Sequence, residues 1–403
     1  MAVAQGINKV IAYRKESAWG DPPGDTGGKT LGRVTGVGNL TKATYESAEI
    51  ETHQQVSDFR HGTRSGSYEF NGELAAGKYV DFWASGLRQA FQTAPTTGAL
   101  TNITATVAGP QFTRAAGSFF TDGFKVGDVV RWTGWTSPAT ANNAKNFLIT
   151  ALTATQMTVV ALNGTPVVAK TAGDSVTCTL AGKRTWVPSS GHTDDSYYFE
   201  DWYADIGQSE QFSGCKLGSI NIQLPSTGIA TCAMSFTGKD MAAATSQYFT
   251  APATPTQSGK LAAVNGVVLL DSGASLVVTG LNFAIDFGLS SDTVVGSNVA
   301  PAIYRSKVRV TGQATVLFED AAMRDVFLNE QIVNVIGAFT ASNAANADFV
   351  TFVLPAVKMG SASKNDGESS IVQTLDFTGI KSGAGAATAA LDTTIAIQDS
   401  LAT

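Results

Sequence analysis

Short stretches of strict apolar–polar alternation, separated by glycine-rich turns, dominate this chain. Over 67–73, Tyr68 and Phe70 point one way while Ser67, Glu69 and Asn71 point the other; over 219–224, Ile220, Ile222 and Leu224 oppose Ser219, Asn221 and Gln223. A period of two marks half-buried strands. The same reasoning predicts strands at 31–37 and 45–50, at 111–114, 129–133, 147–151, 157–161 and 176–180, and at 276–279, 281–287, 307–316, 349–354, 371–377 and 393–398. Helical spacing replaces alternation at 78–91, where Tyr79, Phe82, Trp83, Leu87 and Phe91 form one stripe suited to packing on a sheet. A shorter version occupies 320–329, with Met323, Val326 and Phe327. Residues 20–28 are a breaker-rich loop. Residues 51–66 are polar without a period and read as a long loop, a class usually functional in compact domains. Asn163-Gly164 is a hairpin-turn signal. Gly383-Ala384-Gly385 reads as a flexible loop, since a phosphate-cradling glycine loop needs a preceding strand and a following helix.

The pattern repeats once. Cys215-Lys216-Leu217-Gly218-Ser219 recurs as Val357-Lys358-Met359-Gly360-Ser361, and Ser235-Phe236-Thr237-Gly238 recurs as Asp376-Phe377-Thr378-Gly379. These matches are offset by 142 and 141 residues. Upstream, Tyr68–Gly72 lines up more weakly with 308–312, and Arg88-Gln89-Ala90-Phe91 with Arg324-Asp325-Val326-Phe327, at offsets of 240 and 236. Two related β units, the first enlarged by a module between Phe91 and Cys215, are the simplest reading of such self-similarity.

Composition agrees. The chain has 403 residues, 41 glycines and only 15% charged residues, enough length for two or three domains built of short strands. No apolar run is long enough to span a bilayer, and residues 1–17 lack a signal-peptide core, so synthesis in a reducing cytoplasm is expected. The three cysteines, Cys178, Cys215 and Cys232, have no metal-type spacing, and Cys215 aligns with Val357 as a small buried hydrophobe. The net charge of −6 is uneven: residues 100–185 carry +4 and the remainder −10. The acidic, duplicated part is a poor grip for nucleic acid, which demands clustered Lys and Arg.

Catalytic chemistry is hard to find. The three histidines, His53, His61 and His192, are not at metal-ligand or triad spacing. Asp194, Asp195, Glu200, Asp201 and Asp205 interleave with Tyr197, Tyr198, Phe199, Trp202 and Tyr203. Paired carboxylates beside aromatics are what a glycosidase shows, but a strand with exposed acids and buried aromatics is the plainer expectation.

Tyr13-Arg14-Lys15-Glu16-Ser17-Ala18-Trp19-Gly20, then Gly72-Glu73-Leu74 followed by Gly77-Lys78-Tyr79, then Phe212-Ser213-Gly214-Cys215 through Gly238 form an ordered series of motifs. In that order they resemble the tail tube proteins of long-tailed bacteriophages. Val310-Thr311-Gly312 and Leu354-Pro355 continue the series. Phe112-Thr113-Arg114, Gly117-Ser118-Phe119, 122–128 and 147–151 resemble a module that many of these proteins carry. The resemblance implies a mainly β fold. Two tandem tube-type β-sandwich or barrel folds, each with a flanking short helix, would occupy 1–99 with 186–250, and 251–403. An inserted small β-barrel or sandwich domain would occupy 100–185, autonomous and on the outer surface.

The family assembles six such folds into rings that stack as a hollow conduit. With two folds per chain, a homotrimeric ring is expected. Tail tip and tail terminator proteins, the tape-measure protein, and then genomic DNA passing without sequence specificity are the implied partners. No cofactor and no membrane are implied, and the place is the virion tail, assembled in the host cytoplasm. An acidic lumen would repel DNA and let it slide. The inter-ring stacking loop is expected at 51–66, with Gln54, Gln55, Asp58, Phe59, Arg60 and His61, and its counterpart at 288–306. The competing reading is a virion- or surface-borne array of β domains that binds a target, as an adhesin does.

Overall fold

A computed structural model describes residues 3–164, 166–270, 277–319, 322–365, 368 and 370–403. The chain is mainly β, with 47% strand and 6% helix. One large antiparallel sheet and one curled six-strand sheet account for nearly all of it.

Two unusually long strands, Gln208–Pro225 and Phe349–Lys364, organise the large sheet. Each serves two layers. The first part of Gln208–Pro225 lies between Tyr197–Tyr203 and Asp240–Ala244, with Lys9–Lys15 beyond. Its second part pairs with Thr231–Gly238, which continues to Phe59–Glu73 and Thr35–Glu46. Phe349–Lys364 does likewise. Its first part lies between Val333–Thr340 and Ala396–Asp399, with Gly266–Leu270 beyond; its second part pairs with Val372–Gly379, followed by Arg309–Leu317 and Val278–Asp286.

The switch between layers is made by bulges at matching places. Register slips between Leu217 and Ser219 in one strand and between Met359 and Ser361 in the other, so the repeated Lys-x-Gly-Ser motif is a bulge motif. A second slip sets 197/199 against 215/212, and 333/335 against 357/354. An extra residue bends and twists a strand, which is what a strand needs to leave one layer and enter another. The pairing also corrects one sequence offset. Phe236 faces Tyr68 while Phe377 faces Gly312, so Tyr68 corresponds to Gly312 at an offset of 244, not to Val308 at 240.

Between the layers lies a continuous core. Tyr13, Tyr68, Phe70, Phe82, Trp83, Tyr197, Phe199 and Phe236 fill the first half, and Phe283, Val335, Phe352, Leu375 and Ile397 the second. Tyr68 stacks on Phe199 with centroids 4.3 Å apart. The predicted helix 78–91 is shorter, Val80–Gly86, but buries Phe82 and Trp83 as its stripe requires. Arg88, at φ 58°, marks its end. The second helix is Ala322–Leu328, within the predicted 320–329. The first residues of that prediction, and of the predicted strand 276–279, lie outside the described residues. Where a loop was expected at 51–66, the strand Phe59–Glu73 already begins, so the turn is confined to 47–58.

The six-strand sheet spans Ile103–Thr106 to Thr177–Leu180 and encloses Phe112, Trp132, Phe147, Met157 and Val159. Among the described residues, no strand pair is joined by the expected hairpin at Asn163-Gly164: the strand before it, Gln156–Ala161, pairs with Phe147–Leu152 and Gln111–Arg114. Asn163 instead donates its amide to Thr340 Oγ1 and to the carbonyls of Ser342 and Ala344. The module is welded to the second half of the chain. Val129, Leu148 and Leu162 share a buried cluster with Leu269, Ile336, Phe349 and Val353. Gln398 bonds Val129 and Ala181, and Lys125 donates to three carbonyls of the 385–388 loop. Three of its seven bases pair within it: Arg114 with Asp122, Lys170 with Asp174 and Arg184 with Asp128. The +4 charge rests on the other four, Lys125, Arg131, Lys145 and Lys183, and two of these are turned to the second half, Lys125 to the 385–388 carbonyls and Arg131 to the Asn346 carbonyl.

Asp399, fully buried, ties the last strand to the first half by accepting from Gly77 N–H at 2.9 Å and Leu401 N–H at 2.8 Å. Burial pushes its carboxyl up to about 6. A raised carboxyl favours the fold at low pH, and that contribution fades as pH rises through about 6. Relative to Asp399→Asn, the native chain should therefore lose roughly 2–3 kcal/mol between pH 4 and pH 7. Urea unfolding of both proteins across that range checks it; parallel pH profiles would contradict it.

Candidate assembly surfaces

Eight strands run side by side as one curved layer: 35–46, 59–73, 231–238 and 216–225, then 278–286, 309–317, 372–379 and 357–364. The two groups of four have the same order. They are joined by a seven-residue antiparallel ladder, Ser219 opposite Asp286 through Pro225 opposite Gly280.

One face of this layer is the core. The other is polar and mostly uncharged, with Asn39, Asn71, Ser235, Asn221, Gln223, Asn282, Thr311 and Thr378 among its side chains. Acids are sparse (Glu69, Glu73, Asp286, Asp376) and are joined by Arg309 and Lys358. This face is thus less acidic than the net charge of the duplicated part suggests, because many acids are used elsewhere. Hydrogen bonds from Ser361 at 2.6 Å and Gln313 at 2.8 Å hold the Asp376 carboxyl below its usual range. At the equivalent place in the first half, Ser219 and Ser235 bond each other at 2.7 Å.

Both ends of the layer are open. Among the described residues, Thr35–Glu46 pairs only with Phe59–Glu73, and 358–364 only with Val372–Gly379. Beyond the first edge, the hairpin Thr35–Glu46/Phe59–Glu73 carries exposed Tyr45, Ile50, Val56 and Phe59 at its outer end. Gln54, Gln55 and Asp58 lie in its turn; Phe59, Arg60 and His61 open its second strand. Arg60 is held to Asp58 at 2.8 Å, and Phe59 and His61 meet edge to face at 5.4 Å. The counterpart segment 288–306 does not project as a long hairpin. It lies back over the first half, where Arg64 N–H donates to the Asn298 carbonyl at 2.7 Å.

The acidic cluster is structural, and its central acids are buried, not exposed as expected. Glu200 accepts from Ser209 Oγ at 2.7 Å and from the N–H groups of Tyr248 and Phe249. Asp201 accepts from Tyr68 Oη at 2.6 Å and pairs with Lys9. Asp205 holds Gln5 N–H, Asp195 holds Lys15, and Asp194 holds Lys216 and Arg305. Alternation places Glu200 and Asp201 on opposite faces, so one of the two had to be inward; only the neighbouring donors show why both are. Glu16, its carboxyl raised by burial, receives Gly214 N–H, Gly20 N–H and Ser196 Oγ. The N-terminal aromatic-glycine block is thereby a clamp on the bulge at Gly214. His53, His61 and His192 are exposed; His53 and His61 lie eight residues apart on the first hairpin, and His192 is more than 100 residues from either. Among the described residues, no group of His, Cys, Asp and Glu is arranged to hold a metal, and no helix is long and apolar enough to cross a membrane.

A family model described as phage tail tube protein matches residues 6–379. No curated protein matches the chain.

Replacing Glu200 by Gln turns one of its acceptor atoms into a donor facing a backbone N–H. The substitution should lower stability by about 1–3 kcal/mol, read by chemical denaturation. An unchanged midpoint would mean that the three donors are satisfied in another way.

Proposed function

Because this chain belongs to the phage tail tube protein family, a structural component of the phage tail and not an enzyme, we propose that it is the major tube subunit of a long-tailed phage. In this reading each chain supplies two tube-type folds, three chains form a ring, and rings stack into the conduit. The observation that carries it is the ladder between 219–225 and 280–286. In that ladder one four-strand unit of the chain accepts the other, which supports the same join between chains. The open side of 358–364 stands where 216–225 stands at the ladder, and the open edge of Thr35–Glu46 stands where Val278–Asp286 does. Carrying the register across sets Ser361 opposite Thr41 and Ser363 opposite Asn39 of the next chain. Two unlike edges on one molecule join head to tail, and such contacts close into a ring when the rotation permits. Closure also removes the exposed edges that otherwise invite aggregation.

The polar face of the layer then lines the lumen. Uncharged Ser, Thr, Asn and Gln side chains with few bases offer DNA phosphates no clustered grip. The insert, docked on the opposite layer, lies on the outer wall. Membership of the family carries self-assembly with other tail proteins; the tail tip, tail terminator, tape-measure protein and passing DNA are the partners we assign. The hairpin tip, with Gln54, Gln55, Asp58 and Arg60 and with Ile50 and Val56 exposed on it, is assigned to contact with the neighbouring ring.

An isolated ring should weigh about 125 kDa, three times the 41.8 kDa chain; native mass spectrometry measures it, and a six-chain ring would defeat the duplicated-fold reading. Replacing 50–58 with a Gly/Ser turn should leave rings intact in negative-stain images but stop stacking. Normal tubes from that variant would make the tip a passive connector.

A further inference from the structure

At the ladder inside the chain, the returning segment of the second half closes over a lysine–carboxylate pair of the first. Lys216 Nζ lies 2.6 Å from Asp194 Oδ2 and donates to the Ile303 carbonyl at 2.8 Å. Arg305 covers the pair: Nε is 3.3 Å from Asp194 Oδ1, and its guanidinium donates to the carbonyls of Ser85 at 2.8 Å and Asp195 at 3.1 Å. Lys216 and Arg305 are 6% and 2% exposed.

The second half has the same pair without the cover. Lys358 is the match of Lys216 through the shared bulge. Glu330 is the match of Asp194, since each stands three residues before the corresponding registers at Tyr197 and Val333. Lys358 Nζ and Glu330 Oε2 are 3.3 Å apart, with the two side chains 45% and 81% exposed. On either side of Glu330 in the chain, Leu328 and Ile332 leave large apolar side chains in solvent.

The missing cover also has a match. In the second half, Ser290 and Ser291 pair with Tyr304 and Ile303. In the first half, Tyr45 and Glu46 pair with Arg60 and Phe59; the register changes by one residue between Lys42/Arg64 and Thr44/His61, as it does between Asp286/Arg309 and Ser290/Tyr304 in the second half. Ile303 therefore corresponds to Phe59, and Arg305 to His61. Ile303 is buried, whereas Phe59 and His61 are exposed on one face of their strand.

We infer that Phe59 and His61 of one chain seat on the Lys358–Glu330 pair of a second copy. The Phe59 carbonyl accepts from the Lys358 ammonium, the Phe59 ring covers the Leu328 and Ile332 side chains, and the His61 imidazole faces the Glu330 carboxylate. The first hairpin projects because its seat is on another chain; its counterpart lies folded because its seat is on the same one. Phe59 and His61 thus become a lateral clasp within the ring, while Arg60, on the opposite face and tied to Asp58, stays with the tip. The inference rests on the ring reading above, and the test separates the two.

Two full-length variants are assembled and treated with a short bismaleimide, one with Asn39→Cys and Ser363→Cys, the other with His61→Cys and Glu330→Cys. The native chain, whose three cysteines are buried, is the blank. Both variants should give linked species on denaturing gels that stop at three chains. Linking through 39/363 without 61/330 overturns the clasp and leaves the ring; linking through neither overturns both. A 61/330 ladder running beyond three chains means an axial contact and also overturns the clasp. In a second measurement, Glu330→Ala should leave monomer melting unchanged and raise the concentration needed for ring formation about tenfold or more. His61→Arg, which copies Arg305, should lower it. Assembly indifferent to both substitutions overturns the clasp.

Discussion

The ladder between 219–225 and 280–286 is the contact on which the rest of the molecule depends. Without it the two halves would be separate sandwiches, each with two open inner edges. With it they form one eight-strand layer whose two remaining edges differ. Seven residues of antiparallel pairing satisfy backbone groups that would otherwise compete for strands from any other chain. Around the ladder the chain adds side-chain locks. Phe287 packs against the helix at Gly86, and Arg305 reaches the end of the same helix. Each half therefore reads the position of the other through buried contacts, not through a flexible linker.

Two strands can belong to two layers because each carries bulges at the turning points. Gly214, at φ 64°, adopts a backbone that β-branched residues avoid, and Trp19 and the Lys239 side chain crowd the place where a Cβ would sit. Glu16 then bonds the Gly214 N–H that the irregular backbone leaves without a ladder partner. The matching position in the second half is Ala356, and among the described residues no carboxylate counterpart of Glu16 bonds it. The two halves share a shape but not every device that holds it.

Charge in this protein is largely architectural. Glu200, Asp201, Asp399, Asp128 and Arg184 are buried and bonded, and removing one partner of such a pair strands the other in a poor solvent. What remains at the surface of the eight-strand layer is chiefly neutral and polar. On the ring reading proposed above, a wall of that kind is wetted without being sticky, which suits a passage for a polyanion.

Local chemistry was legible from the chain. Alternation identified 67–73 and 219–224 as strands with the correct faces, aromatic spacing located both helices, and the Lys-x-Gly-Ser repeat marked the bulge common to both halves. These properties belong to neighbours in the chain and follow from backbone periodicity and glycine geometry. The burial of Glu200 and Asp201, the bonding of Asn163 to 340–344, and the welding of the insert to the second half depend on residues far away in sequence, so no local pattern carries them. The upstream repeat offset failed for a related reason: a shift of four residues keeps every side chain on its own face, and period two cannot detect it. Only the pairing of Tyr68 with Phe236 and of Gly312 with Phe377 decided the register, because register is a property of two strands and not of one.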